Sequence, residues 1–98
     1  MVDSDAINKT PVVYLCGSVN EESIGEVNKD LITLQTSGEE VEYIKLVIDT
    51  YGGSIHSMFS LYDIIKSSVV PIHTIGIGKI MSAGVLILSA GEKGNRHI

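Results

Sequence analysis

Two glycine-containing segments carry the residue types that acyl-transfer chemistry requires. Ser82 lies within the glycine-flanked segment 78–84, directly before an apolar run, and the pair Gly52-Gly53 follows a predicted strand about thirty residues earlier. A serine hydroxyl can act as a nucleophile, and glycines, which have no side chain, let backbone N–H groups approach a ligand closely. The pattern therefore predicts Ser82 as a nucleophile and the N–H groups of Gly53 and Ala83 as an oxyanion hole.

Each segment also has a purely structural interpretation. Serines commonly cap helices, and glycine pairs commonly form tight turns. The G-x-S-x-G motif that defines the nucleophile turn of α/β-hydrolases does not occur in the sequence. On spacing alone, the catalytic and structural interpretations stay about equally open.

Three apolar, β-rich runs alternate with three helical patterns along the chain. The runs cover residues 12–16, 44–48 and 72–77, and Gly17 is expected to stop the first. Strands that alternate with helices form a largely parallel sheet, which defines an α/β fold. Ligands bind at the carboxyl ends of such strands. Since Gly53 and Ser82 both follow strands, we expect them at one edge of the sheet.

The helices are predicted from caps and from apolar spacing. Asn20 and Ser54 are expected to cap the first two helices. Their predicted buried faces are Ile24, Val27, Leu31 and Leu34 in the first, and Ile55, Met58, Phe59, Tyr62 and Ile65 in the second. The third helix, from about residue 82 to residue 90, is apolar on every side, so we expect it to be buried throughout.

Composition narrows the class of protein. The 98 residues fit one domain at 11–98 after a polar, flexible segment at 1–10, and the net charge of −5 with scattered basic residues argues against nucleic-acid binding. The single cysteine, Cys16, predicts a buried, unreactive thiol, no disulfide, no cysteine-rich metal site and a reducing, cytoplasmic location. The longest uncharged apolar piece is shorter than the roughly 20 residues that cross a bilayer, and the start lacks a signal-peptide pattern.

Five ordered blocks of sequence together resemble one family. They are residues 13–17, 46–53 at the place of an I-N-S-P-G-G signature, 60–63, 76–84, and 90–96 as an A-G-x-x-G-x-R turn. The sequence is similar to the ClpP family of serine peptidases, the proteolytic subunits of the ATP-dependent Clp protease, within the ClpP/crotonase fold. The resemblance implies a β-β-α superhelix with mostly parallel strands, with Ser82 as nucleophile and Gly53 and Ala83 as oxyanion-hole residues.

The same resemblance implies a working context. The family hydrolyses unfolded polypeptides inside two stacked seven-membered rings, and a partner unfoldase of the AAA+ class uses the ATP. We therefore expect a homo-oligomer, an unfoldase partner, a polypeptide substrate, and no cofactor or metal in the chain itself.

The triad is expected to be incomplete in this chain. The family's catalytic histidine and aspartate come later than Ile98, so the resemblance implies an N-terminal part of the fold, cut off before these residues. The available bases are His56, His73, His97 and Lys79, and none of them is expected to take over. The first two suit core or solvated positions, His97 matches a strand position, and Lys79 suits a surface charge.

The chain also departs from the family pattern around the glycine pair. Asp49 stands where the family has asparagine, and Tyr51 where it has the proline that stiffens the turn. Ala83 stands where methionine is common, which leaves its backbone N–H in place. We expect Asp49 to satisfy backbone groups at the strand end.

Three functions follow from different classes of protein. The first is a ClpP-type serine peptidase whose general base lies beyond Ile98. The second is a non-catalytic ClpP-like subunit that joins or modifies a ring through the first helix and the Tyr62 face. The third is a crotonase-like acyl-CoA binder that uses the same two amides, although no basic cluster for the nucleotide phosphates is evident. The isolated chain is expected to self-associate, because a sheet that ends at its fourth strand leaves an open edge.

Overall fold

The computed structural model describes residues 10–38, 40–81 and 83–97. Its elements are β1 (Val12–Val19), α1 (Glu21–Thr36), β2 (Ile44–Gly53), α2 (Ile55–Ser67), β3 (Ile72–Ile80), α3 (Ala83–Ser89) and β4 (Arg96–His97). This order confirms the predicted alternation of strands and helices. Of the segment 1–10, which we predicted to be flexible, residues 1–9 lie outside the described residues.

The four described strands form one parallel sheet in the order β1-β2-β3-β4. Leu15 in β1 is paired with Ile48 in β2, and Ile48 is paired with Gly76 in β3. The carboxyl ends of β2 and β3 are therefore neighbours, at the end of the sheet where all the parallel strands finish. This confirms the α/β fold class, and it places the two glycine-containing segments at the carboxyl ends of adjacent parallel strands.

The core lies between one face of the sheet and the three helices. Alternate strand residues such as Leu15 and Leu46 are fully buried, together with Leu31 of α1, Leu61 of α2 and Ile87 of α3. Burial of a large aliphatic side chain stabilises the fold by roughly 1.5–3 kcal/mol. This packing holds the helices that follow β2 and β3 firmly against the sheet.

The other face of the sheet is not covered by any described helix. Tyr14 on this face is 63% exposed, and Cys16, two residues further along the strand, is exposed as well. The prediction that Cys16 is buried is therefore wrong. The reason is the period-two alternation of a strand, which puts Cys16 on the face opposite to Leu15.

Two helices begin at the predicted caps. The Oδ1 atom of Asn20 accepts from the Ser23 N–H at 2.8 Å, and the Ser23 Oγ accepts from the Asn20 N–H at 3.0 Å, which makes a reciprocal capping box. The Ser54 Oγ accepts from the Ser57 N–H at 3.2 Å. Because Ser54 directly follows Gly53, α2 starts immediately after the glycine pair.

All three strands are longer than the sequence predicted. Gly17 does not stop β1, since its φ of +86° lets the strand continue through an irregularity between Cys16 and Ser18. β2 likewise continues to Gly53 and β3 to Ile80. The glycine pair is thus the end of β2 itself, rather than a loop after it.

Two predicted helix faces need correction. In α2 the buried residues are Met58, Leu61 and Ile65, whereas Ile55 and Phe59 are more than half exposed. The buried stripe is centred on Leu61, which the apolar spacing had not singled out. In α3, Ile87 is buried but Val85 and Leu86 are about half exposed. An apolar helix on the rim of the core can bury only the side that meets the sheet, so the prediction of burial throughout is wrong.

Candidate active site

The end of β2, Gly52-Gly53, has a backbone conformation that favours glycine, and we call it the glycine turn. Gly52 has a φ of +101° and Gly53 a φ of +151°, a region that residues with side chains rarely adopt. A Cβ on Gly53 would overlap the carbonyl oxygen of Val19 and would lie 3.0 Å from both the carbonyl carbon and the nitrogen of that residue. The carbonyl of Val19 also accepts a hydrogen bond from the Ser54 N–H at 2.7 Å. The backbones of β1 and of the turn are therefore in direct contact.

The Thr50 side chain constrains the glycine turn from the core-facing side of the sheet. Its side chain is fully buried, and its hydroxyl donates a hydrogen bond to the carbonyl of Gly17 in β1. The same hydroxyl accepts from the Gly52 N–H at 3.0 Å. One hydroxyl group thereby links the irregularity of β1 to the glycine pair of β2.

The end of β3 is attached to the same residue. The Met81 N–H donates to the carbonyl of Thr50 at 3.1 Å, and the Gly84 N–H donates to the carbonyl of Met81 at 2.9 Å. Helix α3 lies close to β2, because a Cβ on Gly84 would come 2.7 Å from the Thr50 Cγ2 atom. The residues on both sides of position 82 are therefore anchored beside the glycine turn.

The structure describes two of the three predicted site residues, Gly53 and the backbone of Ala83. Gly53 lies at the carboxyl end of β2, and Ala83 begins α3, which follows β3. Ser82 itself, like the side chain of Ala83, lies outside the described residues. The segments that contain the three predicted residues share one edge of the sheet, and the role of each residue remains a prediction.

Asp49 lies on the face of the sheet opposite to Thr50. A Cβ on Gly78, whose φ is +61°, would come 2.8 Å from the Asp49 Oδ1 atom. The carboxylate therefore packs against the backbone of β3 near the end of that strand. Tyr51, which replaces the family's proline, is exposed. The hydroxyl of Thr50 and the carbonyl of Val19 accept hydrogen bonds from the Gly52 and Ser54 N–H groups, and these bonds constrain the turn.

The candidate bases lie at different places in the fold. His73 is the second residue of β3, about 23 Å from Ile80 at about 3.3 Å per residue. Its Nε2 is 3.5 Å from the Glu92 Oε1, and its ring stacks on Tyr43 with centroids 4.0 Å apart. His73 is thus far along the strand from the glycine turn.

The other two histidines are exposed. His97 is paired with Ile75, in the middle of β3, and His56 is the second residue of α2. His56 is the nearer of the two to the glycine turn along the chain, since only two residues separate it from Gly53. The side chain of Lys79 lies outside the described part of the chain.

The described ranges contain neither a candidate metal site nor a candidate membrane-spanning helix. Within residues 10–38, 40–81 and 83–97, no group of three or more His, Cys, Asp and Glu side chains is placed to hold a metal ion. Among the same residues, no helix has the length and hydropathy to cross a bilayer.

Thr50 and Gly84 were not predicted from the sequence as parts of the site. Thr50 lies in β2 two residues before Gly52, and Gly84 follows the predicted nucleophile by two residues. A threonine two residues before a glycine pair is a weak signal by itself. Its value becomes visible only when the register places Gly17, Met81 and Gly84 around it.

Comparison with known proteins defines the class of this chain. A solved structure, the ClpP protease catalytic domain from Plasmodium falciparum, superposes with a TM-score of 0.81 at 30% sequence identity, over 87% of this chain and 48% of the other. The fold is therefore that of a ClpP catalytic domain. The family model for Clp protease matches residues 2–98, so the chain belongs to the Clp protease family.

Two relatives show the extent of the match. An ATP-dependent Clp protease proteolytic subunit from Pleurastrum terricola is 31% identical over 85 residues, which are 87% of this chain and 43% of the relative. An ATP-dependent Clp protease proteolytic subunit 1 from Leifsonia xyli subsp. xyli is 34% identical over 94 residues, which are 96% and 47% of the two proteins. The chain spans slightly less than half the length of these relatives.

Proposed function

We propose that this protein is a serine peptidase subunit of the ClpP type, with Ser82 as its nucleophile. The observation that supports this most is the hydrogen bond from the Met81 N–H to the Thr50 carbonyl. It joins the segment that leads to Ser82 directly to the strand that ends in the glycine turn. The proposal agrees with the names of the relatives, which are proteolytic subunits.

The chemistry is the attack of the Ser82 Oγ on the carbonyl carbon of a peptide bond. As the Oγ–C bond forms, the electron pair of the C=O bond moves to its oxygen, and the hydroxyl proton passes to a general base. The N–H groups of Gly53 and Ala83 donate to the resulting oxyanion, and each such donor contributes about two to three orders of magnitude in rate. The amine then leaves with a proton, and water hydrolyses the acyl-enzyme.

The general base belongs to the part of the family pattern that follows Ile98. This proposal accounts for the positions of His73 and His97, which lie away from the end of β3. It also means that catalysis requires residues beyond those in this sequence. Ser82 and the two amides form the part of the site that this chain contributes.

The wider setting is part of the same proposal. We infer a homo-oligomer, with seven-membered rings as the family arrangement, that receives unfolded polypeptides from an AAA+ unfoldase in the cytoplasm. The chain itself uses no cofactor, because the ATP is hydrolysed by the partner. The open face of the sheet around Tyr14 supports association with another chain.

Replacement of Ser82 tests the proposed function. In the complete protein, Ser82→Ala is expected to lower kcat for a fluorogenic peptide by at least about three orders of magnitude, because no nucleophile remains. Ser89→Ala is the matched control, since Ser89 is an exposed serine at the end of α3 whose Oγ donates to the carbonyl of Leu86. Hydrolysis that is unchanged in Ser82→Ala would contradict the peptidase proposal.

A non-catalytic subunit is the second candidate. The exposed apolar residues Tyr14 and Phe59 favour it, because they suit contact with another chain whether or not Ser82 reacts. It predicts assembly with partner chains that is unaffected by Ser82→Ala. The family match leaves the acyl-CoA-binding alternative without support.

A further inference from the structure

We propose that Thr50 is a positioning residue for catalysis, which sets the direction of the Gly53 N–H relative to the nucleophile segment. This inference rests on the proposed function. Thr50 is one of the two polar side chains found fully buried among the described residues, and its hydroxyl bridges the Gly17 carbonyl and the Gly52 N–H. The hydroxyl is hydrogen-bonded to these two backbone groups, so its proposed effect passes through the glycine turn.

The turn needs an external constraint because two adjacent glycines have wide conformational freedom. Hydrogen bonds fix the backbone on each side of Gly53. Before it, the Gly52 N–H donates to the Thr50 hydroxyl, and after it, the Ser54 N–H donates to the Val19 carbonyl. Loss of the first hydrogen bond would release the peptide groups that lead into Gly53.

Thr50 also sets the distance to the other half of the site. Its carbonyl accepts from the Met81 N–H, and its Cγ2 methyl lies against Gly84 in the first turn of α3. The two halves of the oxyanion hole, at Gly53 and Ala83, are therefore held by atoms of one residue. An oxyanion hole stabilises the transition state only when its donors are fixed before the reaction, so this spacing matters for kcat.

Two variants separate the hydroxyl from the shape of the side chain. Thr50→Val keeps the branched shape and loses the hydroxyl, whereas Thr50→Ser keeps the hydroxyl and loses the methyl. In the complete protein, we expect Thr50→Val to lower kcat for a fluorogenic peptide by about 10–100-fold with KM nearly unchanged, because the oxyanion forms only in the transition state. Thr50→Ser is expected to lower kcat by no more than about threefold, because it keeps the hydroxyl and the carbonyl that accepts from the Met81 N–H and loses only the methyl contact with Gly84.

A second measurement reports on the turn without catalysis. Amide hydrogen exchange at Gly52 and Gly53 is expected to be faster in Thr50→Val than in the wild type, and unchanged in Thr50→Ser. Equal loss of kcat in both variants, or wild-type kcat in Thr50→Val, would overturn the inference. The proposed function fails if the wild-type protein does not hydrolyse the peptide, or if hydrolysis is the same in Ser82→Ala. The exchange rates then decide alone whether Thr50 holds the turn.

Discussion

The substitution Gly53→Ala is expected to destabilise the fold by about 2–5 kcal/mol and to abolish peptidase activity. A side chain at a φ of +151° is strained, and its Cβ would overlap the carbonyl oxygen of Val19. The obstacle is backbone, held by the Ser54 N–H, so a change of rotamer cannot relieve it. The free energy of unfolding from urea titration measures the effect.

Two other glycines serve as controls for this prediction. Gly17 has a φ of +86°, and a Cβ added there would meet no described heavy atom within 4 Å, so Gly17→Ala carries the strain alone, about 1–2 kcal/mol. Gly25 lies in α1 with open space around it, and Gly25→Ala is expected to stabilise the fold by about 0.5–1 kcal/mol. If Gly53→Ala costs no more than Gly17→Ala, the close approach of Val19 to the turn is refuted.

The substitution Gly84→Ala is expected to cost about 1–3 kcal/mol and to slow catalysis as well, although alanine favours a helix. Its Cβ would lie 2.7 Å from the Thr50 Cγ2, a methyl group that is fully buried and cannot move aside. Helix α3 would have to shift away from β2, which would move the Ala83 N–H relative to Gly53. Thermal unfolding and kcat both report the change.

A double-mutant cycle identifies the contact responsible. Thr50→Ser removes the Cγ2 methyl and keeps the hydroxyl, so Gly84→Ala should cost about 1–2 kcal/mol less in the Thr50→Ser background than in the wild type. Additive effects of the two substitutions would show that α3 does not pack on Thr50 as described.

The order of elements and the location of the site follow from local sequence signals. Asn20 and Ser54 are recognisable as helix caps in the sequence, because their short polar side chains can satisfy the N–H groups that start a helix. The apolar runs that begin at residues 12, 44 and 72 are rich in β-branched residues, a composition that favours strands. Parallel strands joined by helices then place the glycine pair and the segment 78–84 at one edge.

The parts that were predicted wrongly depend on tertiary contacts. Leu61, rather than Phe59, lies in the centre of the buried stripe of α2, because packing against the sheet selects which of two apolar stripes is covered. Cys16 is exposed because its face of the sheet carries no described helix. Which face of a strand is covered depends on the helices that pack against it, and the residues of the strand alone do not reveal this.

Thr50 illustrates why the candidate site was only partly predictable. Its residue type is common before a turn, and nothing in its sequence neighbourhood marks its role. Gly52 is a local partner in the same strand, but Gly17 and Met81 come from two other segments that only the register of β1, β2 and β3 brings beside Thr50. The sequence pattern and the family resemblance predict roles for Ser82 and Gly53, whereas the hydrogen bonds of Thr50 to Gly52 and Met81 are visible only in the structure.

The most direct test of the account is fluorophosphonate labelling of the complete protein, followed by intact mass and peptide mapping. In this reaction the serine oxygen attacks phosphorus and fluoride leaves, so the adduct marks an activated nucleophile. We expect one adduct per chain, on Ser82, and none in Ser82→Ala. An adduct on a different residue, or no adduct on a folded and assembled wild-type protein, would contradict the claim that Ser82 is the nucleophile.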